Sequence, residues 1–525
     1  MTKAHRLTLS LLASAFALLL VLPTPARATW RSLTGPLPAH ASIRYGWQIS
    51  PDSEYVVYIA DAAVEGVNEL YSVPIAGSTP VRLNPTLVAN GNVDRFAITP
   101  DSQYVIYTAD QDVDNRVELY RVPIGGGSAV RLSGPMVAGG NVDLFKIDPD
   151  NVRVVYLADQ TTNEVRELYS APIVGGSWVK LNGQLVTGGR VVDAFEIEPI
   201  SNRVVYQAYQ DVSNRLEIYG VPIGGGTPVK LNEAGAAVDY TFKVNPSLQV
   251  VVFAAAPSGS SITRLYMNAT AGGLLTELSF NLASNQDVFG YLISPQGDRV
   301  VYNVTTNPGS GFIGDGNLYS VLIGGGTSTL LTTAADPGYG VFGATFSITS
   351  DNQRVVYRYR RDASAPVILE AVNLAGGNRV TLYSEAGAEP LGVFRVSADG
   401  LWVLFQQTSS TGALRTIPPN GGSATLVGSG SFRQFLPDSS RVLYTTNAVT
   451  GRFDLFSVQV FGGGERNLSR VEDQVQVGDV LASPDSEWIV YEVEGYGATS
   501  FTELRVSDGT EAQTQLRLFL PSLRR

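Results

Sequence analysis

Residues 93–132 read VDRFAITPDSQYVIYTADQDVDNRVELYRVPIGGGSAVRL, and the reading of this stretch decides the fold. Its opening, residues 93–99, alternates with Phe96 and Ile98 on one face, the pattern of a β-strand. Pro100-Asp101-Ser102 then makes a turn, because proline pre-sets its backbone angle and aspartate accepts nearby amides. Tyr104-Val-Ile-Tyr107 follows at once. It is β-branched and aromatic on both faces, so burial on both sides is expected. A polar loop leads to a third strand, Glu118-Leu-Tyr120. Ile124-Gly-Gly-Gly127 offers the positive φ that a tight hairpin needs, and Val130-Arg-Leu132 is a short fourth strand.

The same unit recurs along the chain. Its turn stands at Pro51, Pro100, Pro149, Pro199, Pro246, Pro295, Ser350, Ala398, Pro437 and Pro484, with gaps of 49, 49, 50, 47, 49, 55, 48, 39 and 47 residues. A lone four-stranded sheet cannot bury both its faces, but sheets stacked radially bury each other and leave only short edges. Sandwich domains need about 100 residues each, twice this period. The expectation is therefore an all-β chain: a β-propeller built from about ten four-stranded repeats. A single large ring is favoured over two five-bladed rings, because no gap between units is long or linker-rich. Residues 29–37 resemble a fourth strand with its following loop, so they are a candidate to complete the last blade. Residues 515–520 are the rival candidate.

The first 28 residues read as an address. Lys3 and Arg6 precede an apolar run from Leu7 to Val21, too short for a comfortable membrane span. Pro23 and Pro25 follow, then Ala26-Arg27-Ala28, the small-x-small form of a signal-peptidase site. The expected organisation is a signal peptide at 1–28 and a repeat array at 29–525. The expected location is outside the cytoplasm: periplasmic, extracellular or associated with the cell envelope.

Composition narrows the chemistry. The 525 residues hold no Cys and two His, with a formal net charge of -11. Thiolate metal sites, iron–sulfur ligands and Cys nucleophiles are excluded, and nucleic-acid binding is disfavoured by the missing basic patch. There is no Gly-x-Ser-x-Gly nucleophile elbow, and a Ser-His-Asp triad would have to use His40. The Gly-Gly-Gly runs lie between strands, so they are hairpins and not phosphate loops.

The pattern of strand, Ser-Pro-Asp-x, strand, polar loop, Glu-Leu-Tyr, Gly-Gly and Arg-Leu resembles the propeller repeat of TolB, the periplasmic protein of the Tol-Pal system. The same repeat is found in many secreted bacterial proteins and in prolyl-oligopeptidase propellers. Where that family has Gly after Pro-Asp, this chain mostly has Ser or Asn; Gly297 and Gly400 keep to the pattern. The resemblance is to the repeat, so it implies fold and does not carry over the Tol-Pal role.

Loops between second and third strands should share a rim with the linkers between blades. Asp110, Asp112 and Asp114 lie there at alternate positions, like the start of a calcium loop that wants several oxygens; a solvated acidic turn is the plainer reading. Asp94, Asp143 and Asp193 each fall six residues before the turn. A ring of such carboxylates suits a cation or a basic ligand, although strict alternation with Phe96, Phe145 and Phe195 points them at the seams between blades. Arg116, Arg166 and Arg215 are their candidate partners. The five Trp residues suit sugar stacking or, more simply, seam packing. The resulting expectation is a binding or scaffold propeller for a protein, peptide or glycan, acting through its loop rim and channel mouth. The alternative is a carboxylate-based enzyme, glycan- or ester-active, with calcium as its candidate cofactor.

Overall fold

The structure is a computed structural model. It describes residues 30–38, 41–233, 235–279, 282–283, 286–305, 316–332, 340–362, 365–384, 392–407, 412–449, 452–469, 475–495 and 501–508. Residues 1–28, expected as a leader, His40, and residues 515–520, the rival candidate for closure, lie outside these.

Forty strands form ten four-stranded antiparallel sheets, and the described residues contain no helix. Blades 1 to 10 span residues 43–82, 93–131, 142–180, 191–230, 237–277, 287–330, 340–384, 394–429, 431–467 and 475–508. Blades 1 to 9 are simple meanders from the channel outward, and blade 10 supplies three such strands. The second strand is the buried one, as its composition requires: Val105, Ile106 and Tyr107 are all 0% exposed. Tyrosines paired across the second and third strands stack, with Tyr107 and Tyr120 in register and their centroids 5.4 Å apart.

The core lies between the sheets. It divides into ten hydrophobic clusters, and each draws on two successive blades. Two of them settle the ring count. Val252, Ala254 and Leu265 of blade 5 pack on Tyr291, Val300 and Tyr302 of blade 6. Val490, Leu504 and Val506 of blade 10 pack on Trp47, Val56 and Tyr58 of blade 1. Two five-bladed rings would join blade 5 to blade 1 instead. The molecule is one ten-bladed ring.

The strand Trp30–Ser32 completes blade 10, pairing antiparallel to Phe501–Asp508 with Arg31 opposite Val506. Leu33 and Leu37 follow it into the closing seam. Arg31 also reaches across that seam to donate to the Ile75 carbonyl at 2.6 Å.

The turns after the first strands explain the Ser and Asn that replace Gly. Ser53, Ser102, Asn151, Asn352, Ser439 and Ser486 all hold φ between 58° and 64°, a region that costs an ordinary side chain about 1–2 kcal/mol. Their side chains offset that cost by bridging blades. Each accepts the amide of a turn residue in the preceding blade: Asp52 N to Ser102 Oγ at 3.1 Å, Asp101 N to Asn151 Oδ1 at 3.3 Å, Asp438 N to Ser486 Oγ at 3.0 Å. The same bond closes the circle, from Asp485 N to Ser53 Oγ at 3.2 Å.

Candidate functional site

Antiparallel meanders put the turns and glycine hairpins at one end of the disc. The second-to-third-strand loops share the other end with the interblade linkers. Carboxylates stitch this loop end together. Asp110 Oδ1 accepts the amide of Asn92 in the linker at 2.5 Å, and its Oδ2 accepts Asn115 N at 2.9 Å within its own loop. Asp159 does the same for Asn141 and Glu164. The linker asparagines pass the tie onward: Asn92 Oδ1 accepts Asn68 N, and Asn141 Oδ1 accepts Val117 N. Close approach requires glycine here, since a Cβ on Gly140 would stand 2.7 Å from the Asp159 carbonyl oxygen.

This network leaves a cavity of about 940 Å³ across blades 2 and 3, lined by Asp94, Asp110, Asp143, Arg95 and a set of asparagines that includes Asn90 and Asn141. Its placement corrects the alternation argument. The first strands of blades 2 and 3 carry β-bulges, with Val93 opposite Ala109 but Arg95 opposite Thr108, and Val142 opposite Ala158 but Leu144 opposite Leu157. Asp94 and Asp143 are the extra, unpaired residues. A bulge shifts the side-chain alternation by one, so Val93 and Phe96 both face the seam cluster and Asp94 is released into the cavity. Asp193 lies within the corresponding irregularity of blade 4.

The three aspartates differ in partners. Asp94 is half-buried and, among the described residues, accepts no hydrogen bond. Burial raises its carboxyl above the usual range, the Asp110 charge adds to the rise, and Arg95 opposes it. Asp143 is also raised by burial, with Arg166 opposing and the Asp159 and Asp193 charges reinforcing. Arg166 bridges blades 3 and 4, placing Nε 2.8 Å from Asp143 and Nη1 2.8 Å from the exposed Asp193.

Arg116 and Arg215 do not join these acids. Each lies two residues before a glutamate on the same strand face and turns to it: Arg116 Nε is 3.8 Å from Glu118, and Arg215 Nη2 is 3.2 Å from Glu217. Arg166 directly precedes Glu167, so it has the opposite parity and is free to reach the channel side.

The alternating aspartates do not gather as the calcium reading requires. Both oxygens of Asp110 are taken by amides, Asp112 accepts the Tyr120 hydroxyl at 3.1 Å, and Asp114 faces Asn90 at 3.5 Å. Among the described residues no group of three or more His, Cys, Asp or Glu stands where it could hold a metal ion. Trp47, Trp178, Trp402 and Trp488 pack in seams, and Arg505 covers the Trp30 ring at 3.8 Å. Arg95, Asn90, Asn92 and Asn141 went unremarked in the sequence, although Gly91-Asn-Val-Asp94 and Gly140-Asn-Val-Asp143 repeat the linker and its aspartate in the same words.

No known protein-family profile matches the chain, and no curated protein matches it. Solved structures do resemble it. A crystal structure of the eukaryotic initiation factor has a TM-score of 0.48 at 12% identity, covering 80% of this chain and 95% of that one. The tricorn protease gives 0.35 at 10%, covering 84% and 46%. A putative TolB from Agrobacterium tumefaciens gives 0.27 at 16%, covering 49% and 84%. These likenesses are too distant to carry a function. The propeller is established by its own blades, seams and closing strand.

Proposed function

We propose that this chain is an exported binding propeller that holds a basic segment of a protein or peptide at the loop-end mouth of its channel. The observation that carries the reading is Asp94: a half-buried carboxylate that accepts no hydrogen bond among the described residues and that lines, with Asp143, a cavity of about 940 Å³. A carboxylate kept unpaired and partly desolvated is unfavourable to the fold alone, and an incoming ammonium or guanidinium relieves that cost. Pockets of this size accommodate a few side chains. Export is supported by the Lys3-to-Ala28 address.

Titration calorimetry with tetralysine and tetra-arginine peptides tests the reading. The chain should bind at least one, more weakly as salt rises, and the Asp94→Asn, Asp143→Asn double variant should lose at least about tenfold in affinity. Failure of both peptides to bind, or full affinity in the folded double variant, overturns it. A carboxylate enzyme acting on glycans or esters is the second reading. What favours it is the same pair, because a general acid must keep its proton towards neutrality. Turnover of glycoside or ester substrates that disappears in the double variant would select it.

A further inference from the structure

The ten seams are not chemically equal, and the repeat acts as its own control. In blades 1 to 4 the glutamate that opens the third strand accepts the hydroxyl of the tyrosine two residues on, at 2.8 to 3.0 Å. The outer strand brings a cation to the same carboxylate: Arg82, Arg131, Lys180 and Lys230, at 2.8 or 2.9 Å. Blade 5 inverts the two signs, with Arg264 and Glu277 in those places. They do not close into a pair. Arg264 donates to the Leu282 carbonyl at 3.3 Å, and its buried Nη1 has no partner among the described residues. Blade 6 drops both charges, carrying Asn317 and Leu330.

A cavity of about 600 Å³ lies at this break, between blades 5 and 6. Ser328 lines it and occupies the position that Trp178 holds in blade 3. There the indole packs edge-on against Tyr169, with centroids 5.5 Å apart, and fills the seam. Among the described residues the Glu277 carboxylate has no hydrogen-bond or ion-pair partner, and neither does the Tyr319 hydroxyl. Tyr319 stacks on Tyr302 at 5.6 Å, and Tyr302 donates to Ser328 Oγ at 2.7 Å. Gln286 accepts Ala283 N through its oxygen at 2.9 Å, which leaves its amide protons available. The lining thus offers an open carboxylate acceptor, open hydroxyl and amide donors, and an aromatic wall.

We propose that this cavity binds a neutral saccharide unit. Vicinal hydroxyls both donate and accept, matching Glu277, Gln286, Tyr319 and Thr327, and the C–H faces of a pyranose suit the tyrosine wall. A compact anion is opposed by Glu277, and a cation by the neighbouring Arg264. The volume is in the range of small-ligand pockets. This site is separate from the channel mouth and does not depend on the reading of Asp94.

Saturation-transfer NMR with glucose, galactose, mannose and N-acetylglucosamine tests it on the full chain. At least one sugar should show transfer. Ser328→Trp, which puts an indole into the cavity, should abolish it in a chain that still unfolds at the parent temperature. Glu277→Gln and Tyr319→Phe should each weaken affinity by about tenfold, with thermal unfolding kept close to that of the parent chain. Silence from all four sugars, undiminished binding in Ser328→Trp, or binding of free lysine in place of any sugar would overturn the proposal.

Discussion

Leu33→Ala tests how the ring is held shut. Leu33 is 2% exposed in the seam between blades 10 and 1, and its amide donates to the Leu504 carbonyl at 2.8 Å. The strand before it is short, with three residues paired. Truncating a buried Leu to Ala costs about 2–5 kcal/mol when the site cannot collapse. A loss of about 3 kcal/mol would raise the open population of the closing strand about a hundredfold. Opening exposes both neighbours of the seam, because Val490 and Leu504 on one side and Trp47 and Val56 on the other share one cluster. Hydrogen exchange followed by mass spectrometry should therefore show faster exchange at residues 501–508 and 43–60. Residues 250–269, on the far side of the ring, should keep the parent rate at the same temperature. Acceleration confined to residues 30–37 would show that this strand caps the ring without closing it. Uniform acceleration in every blade would show that the closing seam has no separate stability. Either result refutes the argument.

Other consequences follow from individual groups. Ser53→Ala keeps the left-handed backbone and loses the bond to Asp485, so it should cost about 1–2 kcal/mol, whereas Ser53→Gly relieves the backbone and should cost less; urea unfolding of the two variants gives the order. Glu492 is pushed up to about 7 by burial, with Glu494 and Asp479 adding to the rise. A carboxyl raised in the folded state favours the fold while protonated, so its contribution is present below the ordinary Glu range and is lost as pH rises through about 7. Glu492→Gln should therefore raise the melting temperature well above neutrality and change it little in acid. Asp110→Ala removes acceptors for two part-buried amides, Asn92 N and Asn115 N; the loss should cost about 1–3 kcal/mol in total, and protease nicking should concentrate near residues 88–92 and 111–116.

The sequence made the blade legible because each turn, hairpin and buried strand has its own local chemistry, repeated near every 49 residues. Ring size is a different kind of property. It depends on how ten seams pack and close, and a unit such as Val93–Ile98 followed by Tyr104–Ala109 carries no record of that sum. Closure was ambiguous for a related reason, since any short strand of the Val-Arg-Leu kind can lie at a blade's edge. The candidate site was half legible. Asp94 and Asp143 stood out by position, but strict alternation aimed them at the seam, and the bulge that turns them to the cavity leaves no local signal beyond the repeated Asn-Val-Asp. The arginines show the same sensitivity: one residue of register separates Arg166, which bridges two aspartates, from Arg116 and Arg215, which turn to glutamates of their own blades.

The most direct measurement is the titration of the Asp94 and Asp143 carboxyl carbons by NMR, with the chain free and with tetralysine bound. The account predicts that both titrate above the ordinary aspartate value in the free chain. It also predicts that both fall when the peptide binds, because a bound cation favours the ionised form. Ordinary titration in the free chain, or values that stay put when the peptide binds, would contradict it.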